Sequence, residues 1–191
     1  MQNFVKKYLT NLYPFFYLFL FGLSFLSLSR FLLGIWHFDR VSNVQGWSEI
    51  ILSGLRIDIA SLSYLYLLPA LISCMMINNK NIQRIWGYIL RLWITFTVWL
   101  LVFMEIVTPS FILEYDVRPN RLFVEYLIYP DELISMLLSG YKLELLIVTI
   151  LSIFTLYFSW KYSEIILVES EMPKWYWRPL IMILVLLLGV M

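Results

Sequence analysis

The chain has 191 residues, of which 61% are hydrophobic, 18% aromatic and only 14% charged, with a formal net charge of +1. An average soluble domain carries roughly 25% charged residues, so this chain cannot cover a water-facing surface and must use lipid as solvent over much of it. Near-neutral charge also argues against nucleic acid, which requires a basic patch.

The first expected span covers about residues 11–34, an apolar run preceded by Lys6 and Lys7 and interrupted by Arg30. Its uncharged part is longer than the apolar core of roughly 7–15 residues in a cleavable signal peptide and is followed by Arg30, so it reads as an uncleaved anchor. The twin lysines place the N-terminus in the cytoplasm. The connector from Trp36 to Leu55 suits a segment at headgroup level. It contains His37, the single histidine, with only Asp39 close by. A zinc site needs three or four ligands, so an aromatic interface belt is the better reading of this region. Cys74 is the single cysteine and lies in an apolar run, where it reads as a small packing residue.

The second span is expected at 57–79, with Arg56 and Asp58 at its start and Pro69 kinking its middle. The third is expected at 85–108 and holds Arg91 and Glu105, about 21 Å apart along a helix. Each can snorkel to its own interface. The alternative makes Glu105 a buried partner of Arg56 or of an arginine in the next loop. Thr108 and Pro109 are expected to close this span.

The segment 114–142 follows, charged yet rich in Leu, Ile, Phe and Tyr. It predicts two short amphipathic helices in the interface plane. Asn120 can cap the first, with Arg121 and Glu125 as an i,i+4 pair. Pro130 suits the first position of the second, and Gly140 can terminate it. A fourth span is expected at 144–162 and a fifth at 176–191. Eight of the fourteen Lys and Arg then fall on the cytoplasmic side, a weak bias in the expected direction. The uncharged run from Pro179 to Met191 covers only about 20 Å of helix against a hydrocarbon core of ~30 Å. That shortfall leads to the expectation that the chain is cut before a further domain. The fold class is therefore an all-α membrane protein of about five transmembrane helices, the last incomplete, with one or two interfacial helices between spans three and four.

Two stretches, GLRIDIASLSYLYLLP (54–69) and RPNRLFVEYLIYPDEL (118–133), resemble the membrane domain of the lipoteichoic acid synthase family. These are sulfatase-like phosphoglycerol transferases of the alkaline-phosphatase superfamily, found in bacteria. The resemblance implies five membrane helices ahead of a large extracytoplasmic catalytic domain with a threonine nucleophile and a divalent metal, manganese or magnesium. It implies residence in the bacterial cytoplasmic membrane and transfer of a lipid headgroup phosphoester. No residue of that catalytic site can be assigned to this chain.

The residues that could act here are polar groups on the expected outer side. Arg56, Arg118 and Arg121 can hold an anionic phospholipid headgroup, because a guanidinium donates two parallel hydrogen bonds to phosphate. Tyr115 and Tyr126 can line that site, and Asp58, Glu105 and Glu125 complete the set as headgroup or domain-docking residues. The plainer reading is that the arginines pair with Asp58, Asp116 and Glu125 and fix loop geometry. Two other readings stand beside the anchor. One is a stand-alone small multipass protein with a lipid-binding or assembly role. The other is a transporter fragment, for which Pro69 is the one hint.

Overall fold

The computed structural model describes residues 12–75, 79–119, 123, 125, 128–167 and 183. The described residues are helical, with six helices in chain order and no strand. We label them α1 (Tyr13–Trp36), α2 (Phe38–Asn43), α3 (Trp47–Met75), α4 (Lys80–Tyr115), α5 (Pro130–Gly140) and α6 (Lys142–Ile166). Helices α1, α3, α4 and α6 are each long and apolar enough to cross a membrane. The chain is thus an all-helical, multi-pass membrane protein. The expected fifth span, 176–191, lies outside the described residues apart from Ile183. The fold divides into two compact units, one of residues 1–93 with 163–191 and one of residues 94–162.

In the first unit, α1 and α3 pack together. The expected span boundaries assumed that charges mark helix ends, and here they do not. Helix α1 runs through Arg30 to Trp36, and α3 begins at Trp47, ten residues before the expected start. The reversal between them needs little chain. Helix α2 ends at Asn43, and Gln45 adopts a left-handed φ of 51°. Its amide donates to Ser42 O, and the amide of Gly46 donates back to Val41 O. The next helix then starts at once.

The packed faces are stripes with a four-residue spacing. Leu18, Gly22, Leu26 and Gly34 are buried on α1, and Gly54, Asp58, Leu62, Tyr66, Ala70 and Cys74 on α3. Small residues in both stripes let the backbones approach, as membrane helices require when lipid is as apolar as the core. Gly34 shows this directly: a β-carbon there would lie 2.8 Å from the Trp47 ring. Cys74 is buried in the stripe, as its apolar surroundings imply.

Pro69 sits inside α3 without ending it. A proline has no N–H for the carbonyl four residues back, which here belongs to Leu65. The Trp93 indole N–H of α4 donates to that Leu65 carbonyl at 3.1 Å. One turn beyond, Ser73 Oγ donates to Pro69 O at 2.7 Å and accepts from the Trp86 indole at 2.9 Å. Trp93 therefore repairs what proline breaks, where no water is at hand to do so, and Trp86 ties the next turn to α4 through Ser73. Trp93→Phe should cost about 1 kcal/mol. Pro69→Ala supplies the missing N–H, so Trp93→Phe should cost far less in that background. A double-mutant cycle of unfolding in mixed detergent micelles measures the difference.

In the second unit, α4 continues past Thr108 and Pro109 to Tyr115, so the span does not close at the proline. Thr108 Oγ1 donates to Met104 O at 2.7 Å, taking up polar capacity beside the proline gap. The helix ends where Asp116 turns left-handed, with φ 57°, a conformation Asp tolerates better than most residues. Helix α5 has Pro130 in its first turn and Gly140 as its last residue, matching the short interfacial helix expected there. The first expected helix of that segment, with Asn120, Arg121 and Tyr126, falls largely outside the described residues.

Candidate functional site

The polar residues singled out from the sequence separate into two groups, one in each unit. In the first unit, Asp58 is buried at the α1–α3 contact, and its partner is Arg30 rather than any of the three expected arginines. Arg30 Nη1 and Nη2 donate to Asp58 Oδ2 and Oδ1, both at 2.7 Å. The side chains are 12% and 7% exposed. This is a bidentate pair, the strongest common ion-pair geometry, and it lies within two spanning helices. Gly54, one turn before Asp58, makes room for it. A β-carbon on Gly54 would lie 2.2 Å from Arg30 Cζ and Nη1. Arg56, two residues from Asp58, points elsewhere and is exposed. Arg30 itself was not among the candidate residues, because it was read only as the charge that follows an uncharged run. The available signal was the apolar run of Phe31 to Trp36 beyond it, together with the glycines Gly34 and Gly54.

In the second unit, Glu105 does not snorkel. Its carboxylate is 9% exposed and accepts from Arg118 Nη2, so the alternative of a loop arginine as partner holds. The pair ties the chain beyond the end of α4 back to the helix body. Arg118 is 37% exposed and keeps further N–H donors, since a guanidinium has five. Tyr115 packs on Phe111, with ring centroids 4.7 Å apart. Glu125 is helical and exposed, while Arg121 and Tyr126 lie outside the described residues. Arg91, the other charge of the third span, pairs with Glu164 at 3.2 Å in the first unit rather than reaching an interface alone.

The second unit also holds a cavity of about 270 Å³ between α4, α5 and the start of α6. Phe103, Val107, Phe111, Leu137, Leu145 and Val148 form most of its wall. Phe123 joins Phe103 and Phe111 edge to face, at 6.3 and 6.2 Å. Glu114, Tyr141 and Glu144 supply its polar end. The Tyr141 hydroxyl donates to Glu114 Oε2 at 2.8 Å. That hydrogen bond, with the nearby charges of Glu114 and Glu144, raises the Tyr141 pKa above its ordinary value of 10.0.

A raised tyrosine pKa means that the neutral hydroxyl is the favoured form. Its contribution is complete below the ordinary value and is lost as pH climbs through the raised one. The tyrosinate absorbance difference between the parent and Tyr141→Phe should therefore titrate above that ordinary value. Glu114→Gln should bring it back down.

Among the described residues, no three His, Cys, Asp or Glu side chains converge, so the metal that the resemblance implies has no donor set there. The His37 ring lies against that of Trp36, tilted by 43° with centroids 4.5 Å apart. No protein-family model matches the chain, and no solved structure matches it. What the fold and sites define is a multi-pass helical membrane module that holds, among the described residues, a buried Arg30–Asp58 pair, a half-buried Arg118–Glu105 pair and an apolar groove.

Proposed function

We propose that the chain is the membrane-anchoring domain of a lipoteichoic acid synthase-like, sulfatase-family transferase. Such an enzyme acts on lipid headgroup phosphoesters at the outer face of the bacterial cytoplasmic membrane. One observation carries this reading. Each of the two stretches that resemble the family contains residues that take part in internal ties of this fold. Residues 54–69 contain Gly54, Asp58 and Pro69, which take part in the Arg30 pair and the Trp93 repair. Residues 118–133 contain Arg118, which grips Glu105, and Pro130, which starts α5. A resemblance due to apolar composition alone would not select those residues.

The division of labour follows from the chemistry. The module anchors and presents, and transfer belongs to an extracytoplasmic domain with its own manganese or magnesium. Exposed Arg56 in the first unit, and independently the remaining donors of Arg118 in the second, are each suited to phosphate. The groove of the second unit favours a second reading, a stand-alone small membrane protein with a lipid-binding or assembly role.

The transferase reading requires the segment between α4 and α6 to face outward. In a Cys74→Ala background, cysteines at Val117 and Ile128 should react with an impermeant maleimide in intact cells. A cysteine at Asn81 should react only after permeabilisation. Labelling of Asn81 from outside, with Val117 and Ile128 protected until permeabilisation, would rule the reading out.

A further inference from the structure

The groove of the second unit is graded along its length. Phe103 and Glu114 lie on the same wall of α4, about 16 Å apart along the helix. The deep end, around Phe103, Val107 and Val148, is wholly apolar. The other end lies where α4 terminates and α6 begins, and it carries Glu114, Tyr141 and Glu144. Spanning helices end at the headgroup layer, so the carboxylates sit at headgroup depth and the apolar wall at acyl-chain depth. A volume of about 270 Å³ is narrow beside the ~300–1,000 Å³ of ordinary ligand pockets. It suits one extended alkyl chain.

Charge decides the headgroup. No lysine or arginine lines the groove among the described residues, and Lys142 sits beside the mouth without lining it. Glu114 and Glu144 are both exposed, and both line the mouth beside Tyr141. Tyr141 occupies one oxygen of Glu114. We propose that this groove seats an acyl chain of a membrane lipid whose headgroup ends in an ammonium, with Glu114 and Glu144 receiving that ammonium. A phosphate- or glycerol-terminated anionic headgroup is disfavoured at the same mouth by like charge. The inference stands on the groove and does not depend on the transferase reading.

The full chain in vesicles of digalactosyldiacylglycerol, an uncharged lipid whose headgroup has no ammonium, tests it. Each vesicle set is doped with phosphatidylethanolamine or phosphatidylglycerol carrying the same photoactivatable acyl chain, and adducts are mapped by mass spectrometry. Phosphatidylethanolamine should label peptides spanning 103–115 and 136–148 about threefold more than phosphatidylglycerol, in keeping with exposed ion pairs. Glu114→Gln with Glu144→Gln should erase that preference while leaving labelling of α1 unchanged. Val148→Trp fills the deep end and should lower groove adducts of both lipids. Equal labelling by the two lipids in the parent protein would overturn the proposal. So would a preference that survives the double substitution, or groove adducts indifferent to Val148→Trp.

Discussion

Arg30→Ala and Asp58→Ala should each destabilise the first unit by about 3–5 kcal/mol, the cost of stranding one member of a buried pair. The reason is asymmetry rather than the worth of the pair itself. Both side chains are at least 88% buried within spanning helices. Each has its charge met by two short hydrogen bonds from the other. Removing one leaves the other without water or a counter-charge. Arg30→Met with Asp58→Leu removes both charges at similar volume and should recover most of the loss. A pair that matters only by its net attraction would leave the double variant no more stable than either single one, since each single substitution already removes the whole attraction. Unfolding in mixed detergent micelles at neutral pH distinguishes the two.

Gly54→Ala should be nearly as damaging in relative terms, at about 1–3 kcal/mol, the usual range for overpacking. The substitution is conservative by propensity, since alanine is the better helix former. Geometry reverses that preference. The new methyl would lie 2.2 Å from the Arg30 guanidinium, which can yield only by leaving Asp58. The two effects are therefore coupled. In the Arg30→Met, Asp58→Leu background the guanidinium is gone, and Gly54→Ala should become close to neutral or stabilising. An unchanged penalty there would show that the glycine serves backbone contact instead. The same unfolding assay reads both backgrounds.

The existence of the spans was legible because lipid forces long uncharged runs, and no finer rule is needed to see them. Their ends were not, for one physical reason repeated at several residues. Reading a charge or a proline as a boundary assumes that neither is tolerated in the bilayer. Arg30 and Asp58 are tolerated because they satisfy each other across two helices. Pro69 was legible as a mid-span residue, but not the partner that Trp93 supplies to the freed carbonyl from another helix. Pro109 lies inside α4 beside a threonine that bonds its own helix. Each compensation is tertiary and joins residues that no local window contains. The short helix from Pro130 to Gly140 was legible because its start and stop signals are local.

The candidate site divides in the same way. Glu105 with a loop arginine was one of two readings open from the sequence, and burial selects it. Of the residues expected to hold a headgroup, Asp58 belongs to Arg30 and Arg118 to Glu105, while Arg121 lies outside the described residues. The groove went unread because Glu114 and Glu144 bracket a segment about thirty residues long and looked like its borders. Only the return of the chain after α5 brings both to one mouth.

The most direct measurement is made on the native gene product. An antibody against residues 38–46 is used on membranes of the source cells, and the captured protein is assayed for phosphoglycerol transfer from a labelled phosphatidylglycerol with manganese or magnesium supplied. The account predicts a polypeptide much heavier than 22.9 kDa and metal-dependent transfer that travels with it. A native product of 22.9 kDa and no transfer activity would contradict it and leave a membrane module with a lipid-binding or assembly role.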